Sequence, residues 1–478
     1  MITGRVRAPE INTRHGWLNT DQSFTLKDFR GKIVLLDFWT LGCINCQHII
    51  PDLQRLEAEY PQELVVIGVH SAKFDNEKTR NAIRKAILKF DIRHPVVNDA
   101  DFDIWRHYAI NAWPTVVLID PEGHVIGQKA GESVYEVVKP NIDNLIEEFE
   151  GKLNRDPIVF RPEESLETPL HFPSKMIAGP DDTLFIADSG HHRILQISQE
   201  GKVLEIIGQG RRGFENGSYE EAAFNEPHGL ARLGNILYVA DAKNNAIRLI
   251  DLQERVVSTA AGNGELEYYF YGEKWGEPVY PNSPWDLAIS PDHQLYIASA
   301  GNHQVLRMDL HTEQVFRCAG NGREALVNGP FTEASFNQPS GLALQGHLLF
   351  VADAEASAIR VLDFRNATVA TLVGRGLFDF GDQDGSTDGA LLQHAMGLTI
   401  DGSQLYIADT YNGKIKVVDT ERKRVKTILS GLDEPNDVLL LNGWLWITDT
   451  NHHQLVKVNL ETWEKHLVAI TANVQMGK

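Results

Sequence analysis

"LYIADTYNGKIKVVD", residues 405–419, reads as two short strands around a polar turn. Apolar and β-branched residues alternate on both sides of Asp-Thr-Tyr-Asn-Gly, the pattern of a half-buried hairpin. The same columns recur as "LFIADSGHHRILQIS" (184–198), "LYVADAKNNAIRLID" (237–251), "LYIASAGNHQVLRMD" (295–309), "LFVADAEASAIRVLD" (349–363) and "LWITDTNHHQLVKVN" (445–459), six copies in all. Each follows a run such as "PHGLA" (227–231), "PWDLA" (284–288) or "PSGLA" (339–343) and precedes a further strand such as "VVSTAAG" (256–262). Four short strands per unit, at a period of roughly 40–45 residues or more, describe a propeller blade rather than a solenoid coil. An all-β, six-bladed propeller over 173–470 follows, with 471–478 as a tail.

Within the repeat, Asp188, Asp241, Asp353, Asp409 and Asp449, with Ser299 in the third copy, fall at the turn between the second and third strands. There a carboxylate accepts backbone N–H bonds and fixes the hairpin. The third and fourth copies depart from the pattern, at Ser299 and in "AEASAI", and looser hairpins are expected there. Two linkers, 208–230 and 320–342, match nearly position for position and start with Gly-x-Gly, as does a looser third at 374–398. No helix follows these glycines to lend its dipole to a phosphate, so they read as tight turns leading into surface loops. His191, His192, His303, His452 and His453 form a second column at the blade turns, read either as polar turn residues or as a ring for a metal or ligand.

Residues 1–153 carry a different period. "KIVLLDFW" (32–39) and "ELVVIGVH" (63–70) are buried strands, and "PTVVLIDPEG" (114–123) with "GHVIGQKAGE" (123–132) makes a hairpin. Helices are expected over 46–60, 76–91 and 134–153, the first containing Pro51 and the last kinked at Pro140. Strands alternating with helices mean an α/β unit. The chain is therefore multidomain: an α/β unit (1–153), a Pro-rich linker (154–172) whose apolar residues are expected to run along the propeller, then the propeller.

Composition narrows the function. The formal net charge of −20 opposes nucleic acid and anionic lipid, and no basic patch offsets it. No apolar leader opens the sequence and no stretch approaches a membrane span, so a soluble cytoplasmic protein is expected, without nucleic-acid or membrane partners. The sixth copy lies near the end of the sequence, and no further C-terminal domain is expected.

Cys43, Cys46 and Cys318 are the only cysteines, too few for a disulfide framework and in keeping with a reducing compartment. Cys318 reads as a small buried apolar residue. The Cys43-Ile44-Asn45-Cys46 run at the start of a helix reads as a redox couple, a metal clip or an incidental pair. A Cys at a helix N-terminus meets free N–H groups and the positive end of the dipole, which favour thiolate. Cys43 would be the nucleophile and Cys46 the resolving thiol. A zinc clip needs four ligands, and with His48 or His70 the set is poor. Haem attachment needs a His where Gln47 stands. No metal or cofactor is expected.

The six columns resemble NHL repeats, whose hallmark is the apolar-apolar-Ala-Asp-x-x-Asn run. "LLDFWTLGCINCQHIIP" (35–51) and "NAWPTVVLID" (111–120) resemble the thioredoxin-like fold of thiol-disulfide reductases. The combination is similar to the family of NHL-repeat-containing protein 2 and its bacterial relatives. The resemblance implies that Asp37 takes the proton of the second Cys, that Trp39 covers the pair, and that Pro114 is cis and faces the cysteines. Trp113-Pro114 would then offer a backbone edge to a peptide, and Ile44-Asn45, in place of the usual Gly-Pro, would tune the reduction potential.

Three functions follow as expectations. The first is a cytoplasmic thiol-disulfide oxidoreductase whose propeller docks the partner or disulfide-containing protein substrate. The second is a non-catalytic interaction scaffold with a structural or incidental cysteine pair. The third, an enzyme centred on the propeller channel, lacks any converging carboxylate and His set that the columns reveal.

Overall fold

The computed structural model describes residues 6–11, 15–164, 167–267 and 275–472, so residues 473–478 of the expected tail lie outside the described residues. Two compact units, Met1–Leu166 and Glu167–Lys478, divide the chain.

In the first unit the apolar runs form β3 (Ile33–Trp39) and β4 (Leu64–His70), parallel and buried along their whole length. β6 (Thr115–Ile119) lies antiparallel on the other side of β3 and turns into β7 (His124–Ala130). Short strands that the sequence pattern does not reveal, β1 (Val6–Arg7), β2 (Trp17–Leu18) and β5 (Val96–Asn98), complete the order β1-β7-β6-β3-β4-β5-β2. Ile33, Leu35 and Val66 face helices α1 (Ile44–Glu59) and α4 (Val134–Phe149), whose Ile49, Leu53, Val138 and Ile142 close that core. Val34, Leu36 and Phe38 form the opposite core. The expected helix over 76–91 begins as a single turn, Asn76–Lys78, before α2 (Arg80–Lys89), because the Thr79 side chain accepts from Ala82 N at 3.1 Å and caps a new start.

The Pro-rich stretch corrects one expectation. Its anchors Ile158 and Phe160 pack into the core of the first unit, Phe160 meeting Phe24 edge-on at 5.7 Å. The buried Lys32 ammonium donates to Asp156 O at 2.7 Å, and Glu163 N donates to Asn19 Oδ1 at 2.6 Å.

The second unit is the expected propeller: six antiparallel sheets over residues 173–207, 227–261, 284–319, 339–373, 397–429 and 435–468. Six apolar layers separate neighbouring blades, and the last, around Trp446, Leu455, Met176 and Ile186, joins the sixth blade to the first and closes the ring. Residues 471–472 add a short parallel strand to Lys202–Val203 of the first blade.

The Asp column reaches further than its own hairpin. Each Oδ1 accepts a backbone N–H from the loop ahead of the same blade: His171 at 2.7, Asn225 at 2.8, Asn337 at 2.6, Gln393 at 2.8 and Asp433 at 2.7 Å. Ser299 keeps the bond, its hydroxyl accepting from Asn282 N at 3.0 Å, so the third copy is pinned like the others. Next along each repeat is a residue with positive φ: His192, Asn245, His303, Ser357, Gly413 and His453. Its side chain accepts an N–H from the following blade: Glu226 to His192 Nδ1 (3.1 Å), Ser283 to Asn245 Oδ1 (2.9 Å), Gln338 to His303 Nδ1 (3.3 Å), His394 to Ser357 Oγ (3.1 Å), Phe172 to His453 Nδ1 (3.0 Å). Gly413, without a side chain, uses its carbonyl to accept from Leu432 N at 3.1 Å. Three histidines of the second column are therefore latches between blades. Burial pushes His192 down to about 4, which keeps Nδ1 an acceptor. His191 and His452 point Nδ1 back at Asp188 and Asp449, at 2.9 and 2.8 Å. The fourth copy is not loosened either, since Ser357 supplies the latch.

The Gly-x-Gly pairs are turns: Gly208 and Gly210 sit at φ 102° and 73°, and Gly320 and Gly322 at 103° and 82°. The loops after them are fastened from beneath. Buried Arg248 donates to Ala223 O, Glu215 O and Asp241 Oδ2, each at 2.8 Å, and Arg360 repeats the arrangement with Ser335 O, Val327 O and Asp353 Oδ2 at 2.8, 2.8 and 3.1 Å.

At the ring centre the third residue of each leading run, opened by Pro in five blades and by Ala395 in the fifth, comes inward: Lys175, Gly229, Asp286, Gly341, Gly397 and Asp437. A Cβ on any of these glycines would approach a neighbouring blade's backbone to within 2.4–2.5 Å. Lys175 Nζ lies 3.2 Å from Asp286 and 3.6 Å from Asp437, and donates to Met396 O at 2.8 Å. Two carboxylates therefore converge at the ring centre, but on a lysine and without histidine, so the set is an ion triad and not the carboxylate and His set of a channel enzyme.

Two carboxyls against one ammonium leave a buried negative charge, and burial pushes both carboxyls upward while Lys175 opposes it. Lys175→Met is expected to destabilise the propeller by about 3–5 kcal/mol at pH 8. A carboxyl raised in the folded state binds protons that the unfolded chain has released, so stability rises as pH falls toward the ordinary carboxylate value. The deficit of the variant should therefore shrink toward pH 5, as read from urea midpoints of the propeller transition.

Candidate active site

β3 delivers Asp37 and Trp39 to one face of the sheet, and after Thr40, Leu41 and Gly42 the chain turns into α1. Cys43 is the N-cap of that helix, with extended backbone (φ −76°, ψ 110°), and its Sγ accepts the Cys46 N–H at 3.1 Å. An acceptor in this position faces the free N–H end of a sixteen-residue helix, so negative charge on Cys43 Sγ is favoured. Both thiols are free; Cys43 is 9% exposed and Cys46 2%. Burial, followed by the contact with Cys43, pushes the Cys46 thiol well above its ordinary value. Cys46 therefore needs a base. Asp37 is buried, and loss of solvent raises its carboxyl to about 7, with His94 pulling it down and Glu57 pushing it up. That value suits a group that takes and returns a proton near neutrality.

The loop carrying Cys43 is held by a residue that the sequence reading missed. Glu77, fully buried, accepts from Gly42 N at 2.8 Å through Oε1, and through Oε2 from the Thr40 hydroxyl, Lys73 N (2.9 Å) and Phe74 N (3.1 Å). Thr40 O in turn accepts the Cys43 N–H at 3.3 Å. One carboxylate thus ties the β4–α2 connection to the turn before the nucleophile. A Glu in a polar loop carries no periodic signal, and only its burial reveals it.

Trp39 is 2% exposed and meets His70 edge-on at 4.7 Å. The Trp113–Pro114 bond is cis. Phe38 pairs with Thr115, which brings Pro114 level with the end of β3 where the cysteine loop departs. Trp113 is half-buried and packs at 4.6 Å, its ring tilted by 45°, against Trp105 of α3 (Asp103–His107), beside Phe102. Of the dipeptide between the cysteines, Ile44 is buried and Asn45 half-exposed. Of the histidines weighed for a metal clip, His48 Nδ1 sits 2.6 Å from Glu132, and His70 is buried, its pKa held down at about 3 by loss of solvent. Among the described residues no group of three His, Cys, Asp or Glu side chains is disposed to hold a metal. Cys318, half-buried against the layer around Tyr296 in the second unit, has its thiol pushed up to about 12 by burial. No helix among the described residues is long and apolar enough to cross a membrane.

The Thioredoxin-like family matches residues 31–125. Over 95% of its length the chain is 40% identical to Protein SUPPRESSOR OF QUENCHING 1, chloroplastic, of Arabidopsis thaliana, covering 47% of that protein. Over the same share it is 38% identical to NHL repeat-containing protein 2 of Gallus gallus, covering 70%. The chain thus spans about half the length of the plant relative. Its first unit is also similar to Thiol-disulfide oxidoreductase ResA of Bacillus cereus, 33% identical over 25% of this chain and 67% of that protein.

Glu77→Ala would remove the carboxylate acceptor from Gly42 N, the Thr40 hydroxyl and Phe74 N, and leave Lys73 N with Thr40 Oγ1 at 3.2 Å. A loss of about 3–5 kcal/mol in the unfolding of the first unit is expected, at about 1–3 kcal/mol per stranded donor after partial relaxation, and urea denaturation followed by far-UV circular dichroism checks it.

Proposed function

The chain belongs to the family of NHL repeat-containing protein 2, and on that premise we propose that it is a thiol-disulfide oxidoreductase with Cys43 and Cys46 as its redox pair. The observation that carries the reading is the division of labour in the site: a sulfur at a helix N-terminus, a second thiol raised by burial, and a buried carboxyl raised to about 7. Cys43, as thiolate, attacks one sulfur of a substrate disulfide, and the other substrate sulfur leaves as thiolate. Cys46 gives its proton to Asp37 and attacks Cys43 Sγ. The Cys43–Cys46 disulfide forms as the Cys43–substrate bond breaks, and the substrate leaves as a dithiol. An external dithiol returns the pair to the reduced state.

The propeller serves as the docking module for a protein partner or disulfide-containing protein substrate, since its rigid core can carry variable loops. The low cysteine content supports a reducing, cytoplasmic setting. The similarity of the first unit to ResA supports the chemistry. One observation favours the alternative of a non-catalytic scaffold: Cys43 and Ile44 are only 9% and 1% exposed.

The two readings part on mutagenesis. Cys43→Ser is expected to abolish reduction of insulin disulfides, and Cys46→Ser to accumulate mixed disulfides visible on non-reducing gels. An undiminished rate in Cys43→Ser would leave the scaffold.

A further inference from the structure

Behind the cysteines, buried polar atoms without hydrogen-bond partners gather over a glycine. Gly68 pairs with Asp37 across the parallel β3–β4 ladder, so the two residues look out on the same face of the sheet, toward α1. A Cβ at Gly68 would stand 3.0 Å from Trp39 Nε1 and 3.5 Å from His94 Nε2. Both nitrogens and Asp37 Oδ1 are buried and unpartnered. Buried polar groups are rarely left so, and two beside one glycine, with a third on the residue paired to it, ask for an explanation. The glycine supplies part of one: any larger residue at 68 would crowd Trp39 Nε1, Val96 Cγ2 and His94 Nε2. A carboxylate oxygen, an indole N–H and an imidazole nitrogen are together a suitable set for a bridging water.

The far side of His94 meets charge. Its Nδ1 lies 3.3 Å from Glu57 Oε1 on α1, with the His94 side chain 2% exposed and that of Glu57 27%. The other groups facing Asp37 cannot replace it. Cys46 on α1 is a thiol, His70 on β4 is kept neutral by burial, and the neighbour on β6 is Val116. Among the described residues His94 is thus the basic side chain whose interaction holds the Asp37 carboxyl down, and Glu57 is the group that orients it.

We propose that His94, held by Glu57, is a positioning residue for the resolving step: across the open face of Gly68 it keeps Asp37 ionised and so able to take the proton of Cys46. This rests on the oxidoreductase reading and deepens it. In the step concerned, the Cys46 proton passes to Asp37, the Cys46–Cys43 sulfur bond forms, and the bond from Cys43 to the substrate sulfur breaks, releasing that sulfur as thiolate.

The test uses the reduced full chain in a Cys318→Ala background, mixed in a stopped-flow instrument with one equivalent of dithiobis(nitrobenzoate) from pH 5.5 to 9.5. Attack by Cys43 releases one thionitrobenzoate, and closure by Cys46 releases a second, so the two steps are read separately. His94→Leu is expected to move the midpoint of the second phase to higher pH, slowing it about tenfold near pH 6.5 for a shift of one unit, with rates converging on the parent above pH 9. The first phase should stay within about twofold. Glu57→Gln, at a partly exposed position, keeps an acceptor for His94 Nδ1 and removes a negative neighbour of Asp37, so it is expected to move the same midpoint the opposite way. Slowing by an equal factor at every pH would indicate a packing defect and overturn the proposal, as would midpoints unmoved in both variants. If Asp37→Asn slows closure and neither His94→Leu nor Glu57→Gln shifts it, the redox reading stands and this inference falls. A parent chain that never releases the second thionitrobenzoate overturns both.

Discussion

A carboxylate that accepts backbone N–H groups from a neighbouring segment is the interaction on which both units of this chain depend. In the propeller it is written once per blade, at Asp188, Asp241, Asp353, Asp409 and Asp449, where each side chain pins the strand that leads into its own sheet. In the first unit Glu77 does the same for the cysteine loop, and Asp52 on α1 accepts from Val134 N and Tyr135 N, both at 3.0 Å, and so caps α4 from outside. Desolvation makes a lone carboxylate costly and the same desolvation strengthens each hydrogen bond it accepts, so such groups hold a geometry only when fully supplied with donors. Asp37 departs from that pattern in its donors: its Oδ1 has none, although burial raises its carboxyl to about 7 as it raises that of Asp409. The difference that marks Asp37 is therefore the unfilled oxygen beside a thiol.

Ring closure rests on a second repeated device. The positive-φ turn residue of each blade offers an acceptor to the next, and His453 completes the circle by receiving Phe172 N. Asn, Ser, His and the Gly413 carbonyl all perform this, which explains why the column tolerates such varied residues: the requirement is a short acceptor in a left-handed turn rather than a particular side chain. The histidines are therefore used as neutral acceptors, a role that excludes protonation at the same nitrogen.

The fold was legible because it depends on local period. Six hairpin columns and an apolar strand followed by a Cys-x-x-Cys helix start are patterns within about fifteen to twenty residues. The site was legible at Cys43, Cys46 and Asp37, which stand on one strand–turn–helix segment. What escaped lies across the fold. Lys175, Asp286 and Asp437 occupy the same position in three blades, but reading down that column yields Lys, Gly, Asp, Gly, Gly, Asp, and a variable column gives no hint that its members meet. Glu77 and His94 come from connections without period. Ile158 and Phe160 look like linker residues until the core they fill is seen.

The central claim is that Cys43 and Cys46 form a reversible dithiol–disulfide couple. The most direct measurement is the reduction potential of the pair, obtained by equilibrating the full chain in glutathione and dithiothreitol buffers of graded ratio and counting free thiols by alkylation and mass. A two-electron transition at a potential between about −120 and −270 mV, the span of known redox proteins, is the expected result. Thiols that stay free across that span would contradict the account and make the first unit a binding platform.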